Sequence, residues 1–352
     1  FDGGVNYEYI RNFSPYNKFT NITRGYSGST ELYFFIANNN TVFYSQNGST
    51  WVNAGAVFPE DAEFTAFGQD NNDNFIWLVY ASITPSTYSL YYSTNLISWT
   101  QASISNPQSD GWCDFQGTRI NDAISYGWDN TGNRLWIQVA RASGGGLPDQ
   151  AISYDGYNWS GVSTGIDCTY VSFGNGVWVK SESGQSTKPL YYSYDGINWN
   201  SINLPTNGGG TKFVTYGNGY FIVTNYVSND INYSRDGINW STSTRTSTYG
   251  IKTDIAYGNG VYVAGNRQDT PFIAYSYDGA SWGTTSLPRG LISNVCFGNG
   301  KFLAFNEAPD VVYSSTDGRN WSAIGNRGEF GREAFFANGY FLSTRGTNLW
   351  YS

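Results

Sequence analysis

The stretch KFVTYGNGYFIVTNYVSNDINYSRDGINWSTS, from Lys212 to Ser243, decides the fold. Four runs rich in Val, Ile, Phe, Tyr and Thr (FVTY, YFIVT, INYS and NWSTS) are separated by Gly217-Asn218-Gly219, by a polar loop and by Asp236-Gly237. β-Branched and aromatic residues suit a pleated, half-buried surface. Asn and Gly supply the φ > 0 positions that tight hairpins need. The stretch therefore predicts strand, Gly-Asn-Gly turn, strand, variable loop, strand, Asp-Gly turn, strand.

The same order recurs along the chain. The second hairpin reads SQNGSTW ending at Trp51, STNLISW at Trp99, SYDGYNW at Trp159 and SYDGINW at Trp199. It continues as SRDGINW at Trp240, SYDGASW at Trp282 and STDGRNW at Trp321. The first hairpin follows Phe173, Tyr216, Tyr257 and Phe297 as Gly-Asn-Gly and Phe336 as Ala-Asn-Gly, with looser forms at Phe67-Gly68 and Tyr126-Gly127. Four antiparallel strands per period of about 40–50 residues is the signature of a propeller blade. Both faces of a blade pack on neighbours, so its apolar runs need not alternate strictly. The tryptophan that opens each fourth strand is expected to pack between blades.

The ends fix the count. Arg332 to Ser352 holds three strand runs and stops before an Asp-Gly turn, while Phe1-Asp2-Gly3-Gly4-Val5-Asn6-Tyr7 resembles the missing turn and fourth strand. The chain is therefore expected to be all-β: one eight-bladed β-propeller over residues 1–352, closed by its N- and C-terminal strands in one shared blade. Seven blades is the alternative. The expected blades are 11–55, 56–103, 104–163, 164–202, 203–243, 244–286, 287–325, and 326–352 with 1–10. Closure also removes exposed strand edges.

Composition narrows the function. The 352 residues include 42 Gly, 29 Tyr, 22 Phe and 13 Trp, but no His and no Met, and charged residues make up only 13%. So many aromatics and so little charge argue against disorder. Without His the chain lacks the commonest general base, and Ser-His-Asp chemistry is impossible. The net charge of −8, with no Lys/Arg run, is a poor footprint for nucleic acid. No run of about 18 apolar residues is present to span a bilayer as a helix. The absent initiator Met and signal segment suggest a processed chain or a fragment. Cys113, Cys168 and Cys296 lack C-x-x-C spacing, so no structural zinc is expected; they read as buried side chains, with a Cys113–Cys168 pair as the alternative. No cofactor or metal is expected.

The S-x-D-G-x-x-W hairpin resembles a shortened Asp-box, the bacterial neuraminidase repeat of sialidase-like propellers. The resemblance covers nearly the whole chain. It implies a structural turn between third and fourth strands, formed by Asp155, Asp195, Asp236, Asp278 and Asp317 with Trp51, Trp99, Trp159, Trp199, Trp240, Trp282 and Trp321, on the face opposite such folds' active sites. A sialidase would also need an arginine cluster, a Tyr–Glu nucleophile and an Asp acid. That family's Arg-Ile-Pro motif is missing: Arg24 precedes Gly25, and Arg11 precedes Asn12. Together, FGNGxF and YSxDGxxW also resemble propeller repeats of bacteriophage virion and bacterial surface proteins, which implies an extracellular or virion-surface location.

Topology says where a partner would sit. The Gly-Asn-Gly and Asp-Gly turns share one end of the blades, and the irregular connections between strands 2 and 3, and from strand 4 to the next blade, share the other. Variable loops on a rigid scaffold are where binding resides. Trp112 and Asp114 lie in the longest such connection. Glu63, Asp122, Lys212, Asp254, Arg332 and Glu333 precede the first-hairpin aromatics and are expected at the mouth of the central channel. These eight are the candidate ligand residues, although a water-filled channel accounts for polar residues without any ligand, and Trp112 has a packing reading too. The expected function is non-enzymatic recognition, adhesion or decoration, with a glycan or protein partner on the variable-loop face and neighbouring virion or surface subunits beside it. The alternatives are a purely structural virion or filament subunit and a sialidase-like glycan-cleaving enzyme.

Overall fold

A computed structural model of the chain describes residues 8–12, 23–37, 40–47, 50–56, 61–84, 87–105, 124–139, 149–166, 168–182, 189–205, 212–225, 230–245, 255–266, 272–288, 292–306, 311–326, 334–337, 340–345 and 348–351. Their strands form eight sheets, six of four strands and two of five; each blade is a four-stranded meander in chain order, except that the last is closed by a strand from the start of the chain. One blade runs Thr23–Ser27, Thr30–Ala37, Thr41–Ser45 and Val52–Ala56. Counting from it as the first blade, the eighth combines Ala334–Ala337, Tyr340–Arg345 and Asn348–Tyr351 with Glu8–Asn12 from the other end of the chain. Glu8 pairs with Tyr351 and Asn12 with Asn348 in an antiparallel ladder. The completing strand thus crosses the expected boundary at residue 10, and Phe1–Tyr7 lies outside the described residues.

The hairpins form as their residues dictate. Asn175, Asn218, Asn259 and Asn299 have φ of 51°, 47°, 48° and 45°, each followed by a glycine that is also left-handed. Two such residues in succession make the turn whose twist matches the flanking strands. The asparagine has a second task that its turn propensity does not reveal. Asn259 Nδ2 donates to Gly300 O at 2.9 Å and Thr316 O at 3.0 Å, both in the next blade. Asn175 Nδ2 likewise reaches Arg235 O at 3.1 Å.

The core is a series of interfaces between blades rather than a single centre. Phe34 and Val42 of blade 1 pack with Trp77 and Val79 of blade 2, and Trp99 joins them. Trp159 sits in the cluster between blades 2 and 3, Trp199 between 3 and 4, and Trp240 between 4 and 5. Trp282 and Trp321 continue the series between blades 5 and 6 and between 6 and 7. Each tryptophan leans on the blade before its own, which is why one is needed per repeat. Trp51, in blade 1, packs tilted against Phe35 with ring centroids 4.7 Å apart.

Two fourth strands bind successive blades together. After Thr100–Gln101 the chain crosses over, so Ala102 N donates to Leu90 O in blade 2 while Ser103 N donates to Tyr157 O in blade 3. Ser103–Ser105 then pairs in parallel with Asn158–Val162. Thr244–Arg245 makes the same crossing onto Ser281–Ser286. These short strands cover the outer edge of blades 3 and 6, where unpaired backbone would otherwise face solvent.

Candidate functional site

The Asp-Gly hairpins show what their acidic residues do. In blade 4, Asp195 Oδ1 accepts from the Ile197 and Asn198 amides, both at 2.8 Å, while Oδ2 accepts Asn198 Nδ2 at 2.8 Å. Ser193 Oγ donates to Asp195 Oδ1 at 2.8 Å and accepts the Gly196 amide at 2.8 Å. Asp155, Asp236 and Asp317 repeat this set, and at Asp278 the amides of Ala280 and Ser281 take the same place. Asn47 and Asn95 supply the acceptor in blades 1 and 2. The tryptophan closes the hairpin: Trp159, Trp240, Trp282 and Trp321 donate Nε1 to the turn glycine's carbonyl at 2.9–3.0 Å. The leading serine of the S-x-D-G-x-x-W hairpin is buried in every repeat from Ser45 to Ser315, and its role in holding the turn is what the sequence reading left out. Its signal is invariance across all seven repeats.

These carboxylates hold an acid-sensitive part of the stability. Burial works against ionisation at Asp236 and Asp317, but hydrogen bonds from Asn239 and Ile238, and from Asn320 and Arg319, bring each down to about 2. Asp195 and Asp278 move in the same direction for the same reason. A carboxyl with a depressed folded value stabilises fully above its unfolded value, near 4, and loses that contribution as pH falls through the folded one. Tm is therefore expected to decline steeply between about pH 4 and pH 2. Replacing Asp236 and Asp317 by Asn should flatten that decline, and an unchanged slope in a pH series of thermal melts would refute it.

On the side of the irregular connections the structure holds a buried polar cluster. Asp149 ends one connection in blade 3 and is 1% exposed. Its Oδ2 accepts the amides of Thr164 and Ile166 at 2.8 and 3.1 Å, and its Oδ1 accepts Thr164 Oγ1 at 2.6 Å. Thr164 and Ile166 belong to the connection that leads into blade 4. Lys180, fully buried on the Val177–Glu182 strand, donates to Thr164 Oγ1 at 2.8 Å and Gln150 Oε1 at 3.1 Å. Its Nζ also lies 4.3 Å from the Trp199 ring centroid, the geometry of a cation–π contact. Gln150 Nε2 donates onward to Gly196 O at 2.7 Å. A charged group this deep persists only when its donors are satisfied. The cluster fixes two variable connections to each other and to the blade 4 hairpin.

The expected ligand residues are placed unevenly. Trp112, Asp114, Asp122, Asp254, Arg332 and Glu333 lie outside the described residues, as does Cys113. For Glu63 and Lys212 the backbone is described. Lys212 begins its strand opposite Asn225. Pairing skips Glu63, passing from Ala62↔Ala81 to Phe64↔Tyr80. It likewise skips Thr169 and Ser293, four residues before the first-hairpin aromatic in each case. A recurring bulge at this point interrupts the ladder of the innermost strand. Nothing in a one-letter reading marks it, because the residues share no type.

No family model matches the chain, and no curated protein does. Solved structures match over nearly the whole length. The computationally designed protein Ika8 aligns with a TM-score of 0.63 at 11% identity, covering 98% of this chain and 99% of that one. Virginiamycin B lyase from Staphylococcus aureus aligns at 0.54 and 10% identity, covering 86% and 96%. YCF48 bound to D1 peptide aligns at 0.50 and 12% identity, covering 99% and 96%. Similar structures thus include an enzyme and a peptide-bound protein. At these identities the likeness is one of fold, and the fold is the β-propeller.

Proposed function

We propose that this chain is a non-enzymatic recognition propeller of the Asp-box kind, which takes a glycan or protein partner on its variable-loop face, at an extracellular or virion surface. The observation that carries this reading is the Asp149–Thr164–Lys180–Gln150 cluster. A buried, fully hydrogen-bonded network rigidifies what it joins, and here it joins the irregular connections of blades 3 and 4. The hairpin aspartates, in contrast, accept chiefly from their own turns. A peptide-bound propeller among the similar structures supports a protein partner. A catalytically inactive form of virginiamycin B lyase replaces a histidine, a residue type this chain lacks entirely.

The test is a screen of the full chain on a glycan array and a peptide library. Binding on either, weakened at least about ten-fold by Trp112→Ala, is the expected outcome. Hydrolysis of a fluorogenic glycoside, lost in Glu63→Gln or Asp122→Asn, would overturn the reading in favour of an enzyme.

A further inference from the structure

The regular turn face, opposite the proposed partner face, carries an aromatic cluster at the junction of blades 3 and 4. Trp128 is 46% exposed and Tyr154 38%. Trp128 closes the first strand of blade 3 and Tyr154 follows its third, so the two stand at one end of the same sheet, about 10 Å apart across two strand spacings. Trp128 leans toward blade 4: its ring centroid is 5.6 Å from Phe173, and its carbonyl accepts Trp178 Nε1 at 2.8 Å. Two carboxylates belong to the cluster. Asp129 accepts the amides of Thr131 and Asn133, both at 2.9 Å, and so faces the turn beside Trp128. Asp195 comes from the blade 4 hairpin, whose Gly196 packs directly over Leu135 and Ile137 of blade 3. Burial, with the charges of Asp129 and Asp195, pushes the Tyr154 phenol above its usual value.

Elsewhere on this face the same kind of site is filled from within. In blade 5, Arg235 stacks 4.8 Å over the Tyr220 ring. In blade 6, Tyr275 and Tyr277 pack edge to face at 6.0 Å, and Arg319 of blade 7 lies 5.9 Å from the Tyr275 ring. Tyr192 and Tyr194 form the matching pair in blade 4, at 5.9 Å and 85°. The position equivalent to Arg319 is Ile238 beside that pair and Ile197 beside Tyr154.

We infer that the blade 3–4 junction of the turn face binds an arginine-bearing polypeptide segment, whose guanidinium groups stack on Trp128 and Tyr154 and pair with Asp129 and Asp195. Ring faces and carboxylates both attract a cation, and a weakly hydrated planar guanidinium uses the two together better than a sugar does. The net charge of −8 favours the encounter. This surface is separate from the variable-loop face and stands or falls independently of it.

The chain's own repeats supply variants that keep the fold. Gln69 stands where Trp128 does in the blade 2 turn, Thr94 and Thr316 where Tyr154 does, and Asn95 where Asp195 does. Fluorescence anisotropy with a labelled Arg-Gly repeat peptide is the measurement, beside the same peptide with citrulline for arginine. The full chain should bind the arginine peptide about ten-fold tighter than the citrulline one. Trp128→Gln with Tyr154→Thr should abolish that difference, and Asp195→Asn should reduce it several-fold. Tyr277→Thr, at a pair already served by Arg319, should leave it unchanged. Equal binding of both peptides, equal loss in Tyr277→Thr, or no loss in the double variant would overturn the inference. So would a glycan-array signal that the double variant removes while peptide binding persists.

Discussion

Gly258→Ala is expected to cost about 1–3 kcal/mol, the usual penalty of overpacking, while Gly217→Ala, at the same place in the neighbouring repeat, is expected to be neutral or slightly stabilising. A Cβ at Gly258 would lie 2.1 Å from the Phe297 ring of the next blade. Phe297 cannot easily withdraw, because the Phe302 ring packs tilted against it with centroids 4.6 Å apart. Similar conflicts occur at Gly174 with Tyr216, at Gly127 with Phe173 and at Gly25 with Phe67, all within 2.1–2.3 Å. At Gly217 no atom lies within 4 Å, so alanine there mainly restricts the unfolded chain. Denaturant midpoints at constant m-value measure both. If the two variants lose equally, the glycine serves its own backbone and not the neighbouring ring.

The repeats already vary in the way this argument requires. Ala337 takes the glycine's place in the last blade, and the first blade, next around the ring, has Arg24 where the others have Phe or Tyr. Arg24 turns to Glu31, which also accepts Tyr33 Oη at 2.6 Å. The repeat that dispenses with the glycine is thus followed by the repeat that dispenses with the aromatic.

Asp149→Ala is expected to lose about 3–5 kcal/mol, the range for breaking one side of a buried charged set. It would leave the Thr164 and Ile166 amides and the Thr164 hydroxyl without their acceptor, beside a buried ammonium. Lys180→Met should cost less, since it removes the charge together with its demand for partners. The double variant should therefore be more stable than the sum of the two losses predicts. Strict additivity in a double-mutant cycle would show that Asp149 and Lys180 are not one unit. Because the cluster holds two connections on the variable-loop face, Asp149→Ala should also weaken whatever binds there.

Legibility differed sharply between turn and site. Asn259 and Gly260 announce a left-handed turn from their identities alone, since few other residues adopt it without strain. Leu96 shows the limit of that rule. It occupies the hairpin glycine's place at φ 63° and is fully buried between blades, so packing overrides backbone preference there. Lys180 gave no signal at all in a run reading Val177-Trp-Val-Lys180, because its partners Gln150 and Thr164 come from another blade. The turn-face cluster was hidden for a related reason: Tyr154 reads as one more variable residue in a hairpin.

The sequence by itself determined the repeat and the four-strand unit, because each is written in residues close together along the chain. The sharing of one blade between the two chain ends was legible because the last repeat holds three strand runs where the others hold four. Tertiary structure alone decided which glycines are indispensable, which lysine is buried and which tyrosines are left facing solvent. Those properties belong to pairs of blades, and a pair of blades brings together side chains that lie about a full repeat apart in sequence.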